Sequence, residues 1–340
     1  MKKLRILVMM HEACVPPDNI EGIDDKDMAL WKTEYDVLAT LHNMGHEAHS
    51  LGVGDEIGTI RDALRRRDPH IVFNLLEEFR GLDTYVPYVL GYLELIHQSY
   101  TGCNPRGLMF ATSKALQRKI LRYHRIPVPD FWVAQLGRKP KRPTRMTFPL
   151  IVKSATEHGS VGIAQASVVY DDEKLKERIE FVHEQLKTDA IVEEFIEGRE
   201  MYMGLVGNHR IEALPIWEMF FDNLPDGAPK IATSRMKWDH NYQKKAGIRT
   251  GPADDLTEAQ ASHITRICKR AYRALNQSGY ARLDLRLRPD GRIVVIESNP
   301  NPQLAYGEDF AESADAAGLG YEALLHRILQ LGLRYHAGLA

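Results

Sequence analysis

The alternation of apolar and polar positions divides the chain into three stretches of different rhythm. In the first, residues 5–10 carry the apolar run Ile6-Leu7-Val8-Met9-Met10, a helical pattern follows from about Asp27 to Asn43, and Gly45 leads into a short strand ending at Val53. A second helix through Ile60 to Arg66, the run Ile71 to Leu76 and an apolar stretch from Tyr85 to Ile96 continue the alternation. Strand, helix, strand in repetition predicts a small α/β unit with a parallel sheet over residues 1–106.

A second unit, 107–198, opens with helical spacing from Ala111 to Tyr123, and Ile126-Pro127-Val128-Pro129 breaks that helix. The basic, proline-punctuated Gly137 to Pro143 reads as a loop. The strand Pro149 to Lys153, a helix from Asp171 to Leu186 and the strand Ala190 to Ile196 follow. The third unit, 199–340, holds strands around Met201 to Val206 and Ile211 to Met219. It continues with a long helix from Thr257 to Gln277, whose start resembles a cap, a hairpin from Tyr280 to Asn299 and a terminal helix from Tyr321 to Leu331. This last part is α+β in character, with no repeat or low-complexity tract.

The hairpin carries the sharpest chemical signal. Ala281, Leu283, Leu285 and Leu287 alternate with Arg282, Asp284 and Arg286, the period of a strand with one buried face. Asp290-Gly291 is a strong signal for a two-residue turn, which places Asp284 opposite Glu297, Arg282 opposite Asn299, and Leu285 and Leu287 against Ile296 and Val294. Facing carboxylates repel, and a hard divalent cation would reconcile them, because magnesium takes oxygen ligands from one or two carboxylates plus phosphates. Two other readings stay open. The hairpin is a surface element whose arginines neutralise its acids, or a three-residue Pro289-Asp290-Gly291 loop breaks the register.

Composition narrows the partners. Of 340 residues, 44 are Lys or Arg and 46 Asp or Glu, and the net charge of -2 gives no electrostatic basis for a nucleic-acid or membrane-surface partner. No stretch approaches the roughly 18 to 20 apolar residues of a membrane span. Cys14, Cys103 and Cys268 are widely separated, odd in number and without CxxC spacing, as expected of reduced thiols in a cytoplasmic protein.

Lys153 ends the run Phe148 to Val152, so its ammonium should emerge at a strand end just before the loop Thr156 to Ile163. Glycines at 159 and 162 let backbone amides approach an anion, and Ser160 adds a hydroxyl, a plausible phosphate cradle outside the GxxxxGK[ST] pattern. Glu193-Glu194-Phe195-Ile196 ends a strand where carboxylates and backbone can read an adenine or ribose edge. Each feature alone is equally an ordinary turn or strand end. Lys114, Lys237 and Trp238 carry no signal by themselves.

Taken in order over nearly the whole chain, these segments resemble the ATP-grasp superfamily, and within it the D-alanine-D-alanine ligase-like group. Ser113-Lys114 and Val152-Lys153 resemble its two nucleotide lysines, and Glu157 to Gly162 its phosphate-covering loop. Glu193 to Ile196 resembles the adenine hinge, and Glu200 the ribose acid. Lys237-Trp238 looks like the family's Lys-Tyr pair. Arg282-Leu283-Asp284 and Glu297-Ser298-Asn299 resemble the catalytic arginine and magnesium ligands.

The resemblance implies an ATP-grasp fold and an amide-forming carboxylate-amine ligase that uses ATP and a pair of magnesium ions, with manganese an admissible substitute. Arg282, Ser160 and Lys237 would act at the reacting centre. Lys114, Lys153, Gly159, Ser160, Val161, Gly162, Glu193, Glu194, Phe195, Ile196, Glu200 and Lys237 would hold the nucleotide. Asp284, Glu297 and Asn299 would hold metal. Partners would be a small-molecule acid and amine, and a homodimer is compatible with this reading. A silent ATP-binding scaffold of the same fold is the contrasting class.

Two departures bear on substrate. Met10-His11-Glu12-Ala13-Cys14 stands where the family has a glycine-rich segment whose glutamate contacts the first substrate's amine, so Glu12 is the candidate there. After Asn299 the run Pro300 to Asp309 replaces the family's Thr-x-Pro-Gly-Met-Thr, which puts Gln303 and Glu308 beside the substrate along with Trp238. Glu308 falls about where a serine grips the second substrate's carboxylate. A carboxylate there would repel such a group, so the expected acceptor is other than free D-alanine. A true D-alanine-D-alanine ligase is the alternative.

Overall fold

The computed structural model describes residues 3–17, 20, 22–156, 162–225, 227–233, 235–236 and 239–337. Three sheets follow one another along the chain. The first is parallel, in the order β2-β1-β3, from β1 (Arg5–His11), β2 (Glu47–Val53) and β3 (Ile71–Asn74). Helices cover both of its faces, which is why β1 reads as an unbroken apolar run rather than an alternation. Leu7, Met9 and Val72 meet Ile60, Leu64 and Leu90, while Ile6, Val8, Met10, Ile71 and Phe73 meet Val37 and Leu41. The second face is completed from the far end of the chain, by Leu324, Leu325, Ile328 and Leu329 of the helix Tyr321–Leu333.

The expected helix from Asp27 to Asn43 is two helices, Asp25–Ala29 and Lys32–Asn43. Asp24 caps the first by accepting from the Asp27 amide at 2.8 Å, and Trp31, at φ -132°, leaves helical geometry with its ring buried. In the second helix Glu34, Val37 and Leu41 form the buried stripe, with Glu34 at its amino end.

The second sheet is antiparallel, in the order β4-β7-β5-β6, from β4 (Phe131–Ala134), β5 (Leu150–Ser154), β6 (Val168–Val169) and β7 (Ala190–Glu194). Leu150, Val152, Ala190 and Val192 pack on Leu175 and Ile179 of the helix Asp172–Phe181. The opposite face carries Ile151, Glu193 and Lys153.

That third sheet, antiparallel in the order β10-β9-β8-β11-β12, comprises β8 (Arg199–Val206), β9 (Glu212–Phe221), β10 (Ile248–Pro252), β11 (Tyr280–Leu287) and β12 (Ile293–Pro300). Met201, Met203, Leu283 and Leu285 are buried against Ile264, Ile267, Cys268 and Ala271 of the helix Glu258–Ala274. Each such side chain contributes about 1.5 to 3 kcal/mol. Thr257 and Gln260 form a reciprocal capping box at the start of that helix. Leu121 of the helix Lys114–Tyr123 joins the same core, which fixes that helix to β12.

The hairpin corrects one expectation and keeps another. The loop is the three-residue Pro289-Asp290-Gly291, closed by the Gly291 amide on the Arg288 carbonyl at 2.9 Å with Gly291 at φ +82°. Leu285 therefore pairs with Val295 and Leu287 with Ile293, not with Ile296 and Val294. A register shift after Asp284 then leaves Ile296 as an extra residue on β12. The two displacements cancel, so Asp284 does lie opposite Glu297 and Arg282 opposite Asn299.

All three cysteines are free. No helix among the described residues is long and apolar enough to cross a membrane.

Candidate active site

One face of β11 carries Tyr280, Arg282, Asp284 and Arg286 in a line, because alternate residues of a strand share a face, with Tyr280 and Arg286 buried and the two between them partly exposed. Each charge on it is matched. Arg282 donates to both Asp284 oxygens, at 2.8 and 3.1 Å, and its guanidinium lies 4.6 Å from the Tyr202 ring centroid. Burial alone would lower the pKa of Arg282, but the Asp284 carboxylate outweighs that and raises it. Asn299 donates to Asp284 Oδ2 at 3.1 Å, and Arg286 donates to Glu200 at 2.6 Å.

Opposite Asp284, Glu297 receives Lys114 Nζ at 2.8 Å. Lys114 is the first residue of its helix, which Ser113 caps by accepting from the Leu116 amide. Gln117, one turn on, exchanges two hydrogen bonds with the Ser298 backbone at 3.0 and 3.1 Å. The helix is thereby pinned to β12 with its lysine beside Glu297.

Across the cleft, Glu193 on β7 is fully buried and held from two sides. Arg118 Nε donates to Oε1 at 2.6 Å and Lys153 Nζ to Oε2 at 3.0 Å. Burial would raise the pKa of this carboxyl, yet the two cations bring it down to about 2. Glu193 is therefore an acceptor at any ordinary pH, suited to an exocyclic amino group. Arg118 carried no signal in the sequence, because its partner lies 75 residues away.

The chain from Glu193 to Ile196 bridges the two antiparallel sheets. Phe195 joins Ile151, Ile163, Val168 and Ile231 in an apolar cluster of its own, separate from both sheet cores, and Ile196 is buried. Glu194 pairs with Arg288. Glu200 accepts from Tyr202 Oη at 3.0 Å and from the Ala232 amide at 3.3 Å, as well as from Arg286. The stretch from Glu193 to Glu200 thus sets an ionised acceptor and a second carboxylate on either side of the apolar Phe195 and Ile196, the kinds of group that bind a nucleoside.

Gly162 sits at φ +69°, where its carbonyl accepts from Arg178, and a Cβ there would stand 2.8 Å from Leu186. Glu157, Gly159, Ser160, Val161, Lys237 and Trp238 lie outside the described residues. Glu12 is exposed and turned toward β2, its carboxylate close beside Gly54. His11 pairs with Glu78 at 3.3 Å. Gln303 and Glu308 are both exposed on the segment after β12. That segment is tied to the first unit by the Tyr306 amide on Asp36 at 2.8 Å. Asp309, which sequence reading missed, lies 3.9 Å from Arg282. His42 and His46 bond to the backbone, at Ala48 and Leu4.

Asp284, Glu297 and Asn299 fit magnesium in donor chemistry. They are two carboxylates and an amide oxygen on facing strands, and the 3.1 Å Asn299 to Asp284 contact shows that they converge. No group of three or more His, Cys, Asp or Glu side chains among the described residues could hold a metal ion. A cation at this site would need further oxygens, such as those of a phosphate.

Residues 120–330 match the family described as the D-ala D-ala ligase C-terminus. An uncharacterized protein of Sinorhizobium fredii, y4sG, is 30% identical over 309 residues, 89% of this chain and 88% of that protein. A D-alanine-D-alanine ligase of Desulfotalea psychrophila is 26% identical over 327 residues, covering 94% and 90%. Among solved structures, the Bacillus anthracis D-alanine-D-alanine ligase complexed with ATP matches with a TM-score of 0.75 at 23% identity, covering 97% of this chain and 98% of that one. The Coxiella burnetii enzyme matches with a TM-score of 0.71 at 19% identity, covering 99% and 96%.

Proposed function

The chain belongs to the D-alanine-D-alanine ligase family of ATP-grasp enzymes, which form carbon-nitrogen bonds, and from this premise we propose that it joins a small carboxylate to an amine through an acyl phosphate. The observation that carries the reading is the matched line across β11 and β12, where Arg282 and Asp284 stand in register with Asn299 and Glu297 and Lys114 reaches Glu297 from its helix.

In the first step a carboxylate oxygen attacks the γ-phosphorus of ATP, and the bond to the ADP oxygen breaks. In the second the amine nitrogen attacks the acyl carbon, phosphate leaves, and the nitrogen loses a proton. Lys153 and Lys114 neutralise phosphate charge, exchanging their present carboxylates for phosphate oxygens. Glu193, kept ionised by Arg118, accepts from the adenine amino group, and Glu200 from the ribose. Arg282 stabilises charge that develops on the transferred phosphoryl and the tetrahedral carbon. Magnesium held by Asp284, Glu297 and Asn299, as a pair of ions, would supply Lewis-acid neutralisation of the phosphates.

Glu308 supports an acceptor without a carboxylate at that end, which separates this enzyme from its relatives that join D-alanine to D-alanine. A screen of acids and amines that follows ADP release tests both levels. Amine-dependent ADP release that disappears in Asp284→Asn supports the ligase. No release with any pair, in protein that still binds a non-hydrolysable ATP analogue, overturns it. Efficient D-alanyl-D-alanine synthesis keeps the ligase and overturns the acceptor assignment.

A further inference from the structure

The face of the third sheet that carries Arg282 has a helix laid against it, and a glycine makes room for that helix. In the pairing of β8 with β11, Gly204 stands opposite Arg282 and Tyr202 opposite Asp284. Residues directly opposite each other share a face, so beside Arg282 there is a position with no side chain. A Cβ on Gly204 would stand 2.6 Å from Leu214 and 3.0 Å from Phe310 Cε2. Phe310 uses that space. It is buried, and its ring centroid lies 5.6 Å from that of Tyr280.

Phe310 is the second residue of the helix Asp309–Ala316, whose Ala311, Ser313 and Ala314 are also buried. Anchoring it against Gly204 and Tyr280 fixes the residue before it. Asp309 Oδ2 comes to 3.9 Å from Arg282 Nη1, with each side chain 19% exposed. That distance is too long for a hydrogen bond and short enough for a direct charge interaction.

The surroundings of the guanidinium are uneven. Asp284 takes Nε and Nη2, at 2.8 and 3.1 Å, and leaves Nη1 as the corner nearest Asp309. Among the described residues Nη1 donates no hydrogen bond and the Asp309 carboxylate accepts none. An aspartate at the first position of a helix is ordinary, because that end favours negative charge. Asp309 is set apart by its neighbour, the arginine that the ligase reading places at the reacting carbon.

We propose that Asp309 is the general base of the amine step. The inference rests on the ligase reading and adds to it the destination of the proton. An oxyanion held by Nη1 lies about 3 Å from it, and the attacking nitrogen is bonded to the same carbon as that oxygen. Its N–H is thereby within reach of Asp309, directly or through one water. The nitrogen–carbon bond forms, the carbon–oxygen bond to phosphate breaks with its electron pair leaving on phosphate, and one N–H proton passes to Asp309. Breakage of that bond leaves a protonated amide, which is acidic enough for a carboxylate to deprotonate. Asp309 then gives the proton to the departing phosphate and is restored.

The test separates the two chemical steps by rapid quench, with ATP, magnesium, hydroxylamine as the amine and D-alanine, L-alanine or glycine as the acid. ADP reports the first step and the amino acid hydroxamate the second. Asp309→Asn keeps the shape and suits a helix start. It should form its first equivalent of ADP at the unmutated rate and then make hydroxamate about 100-fold more slowly. In Asp309→Ala, added formate should restore part of the hydroxamate rate, because a small carboxylate fits the vacated place. Binding of a non-hydrolysable ATP analogue confirms that both variants fold. An unchanged hydroxamate rate in Asp309→Asn overturns the base. So does an equal slowing of both steps without rescue by formate, which would make Asp309 a support for Arg282. No ADP from the unmutated protein, with these acids or any pair of the wider screen, overturns the ligase and the base together, a failure distinct from one confined to the variants.

Discussion

Two acidic regions of this molecule are built on opposite terms. Along β11, β12 and β7 the carboxylates have protein cations against them, with Asp284 on Arg282, Glu297 on Lys114, Glu200 on Arg286 and Glu193 between Arg118 and Lys153. In the parallel-sheet unit Glu34 and Glu77 have none among the described residues. A paired acid can exchange its cation when a highly charged ligand arrives, so folding and binding use the same charges in turn. An unpaired acid has no such exchange to make, and burial instead keeps it protonated. On the proposed function, the first region is pre-assembled for nucleotide and metal by the same charges that hold the fold.

The comparison is broken most severely at Asp284. Asp284→Asn keeps the shape but removes the charge that Arg282 and magnesium share, and kcat for ADP release should fall by about 100- to 1000-fold. A loss of less than tenfold would place the metal elsewhere. Glu193→Gln should cost about 3 to 5 kcal/mol in a urea titration, because Arg118 would be left buried without its counter-charge. An unchanged urea midpoint would mean that the pair is not formed as described.

Lys114→Met tests the exchange directly. With its internal cation gone, Glu297 should accept manganese in the absence of nucleotide, and the spin-resonance signal of free manganese should fall at concentrations where the unmutated protein leaves it unaffected.

The smallest effect is a pH dependence from the unpaired side. A carboxyl raised to about 7 in the folded chain stays protonated there while its unfolded counterpart ionises near 4. The folded state therefore gains from it fully below about pH 4, and that contribution is lost as pH rises through 7. Between pH 6 and 8 the unmutated protein should lose more of its melting temperature than Glu34→Gln does, as read by scanning calorimetry. Parallel curves would remove Glu34 from the unpaired class.

Much of this was legible in the residue pattern, for physical reasons that differ by region. β1 and β11 were visible because one is buried on both faces and the other on one, which writes a continuous run in the first case and an alternation in the second. Asp284 and Glu297 were paired correctly through two opposite slips, a loop one residue longer than expected and an extra residue at Ile296. Neither slip leaves a mark in composition, since Pro289-Asp290-Gly291 supports both turn lengths.

Arg118 and Glu34 were missed because each looks like a routine helix residue until its neighbour is known. Arg118 meets a carboxylate far along the chain, and Glu34 takes a place in a stripe that Val37 and Leu41 make apolar. The interruption at Trp31 was hidden for the same reason, because its buried ring keeps the apolar period going while the backbone leaves the helix.

The closing of the first sheet by the helix Tyr321–Leu333 has a consequence for synthesis on the ribosome. The strand β1 emerges long before Leu324 to Leu329, the residues that cover one of its faces. Until those residues are made Ile6, Val8, Met10, Ile71 and Phe73 have only part of their final cover, because the contact that completes it is long-range. The nascent chain must therefore be kept from aggregating by its own speed or by chaperones, and a stop before residue 321 releases a chain whose parallel sheet is still open on that face.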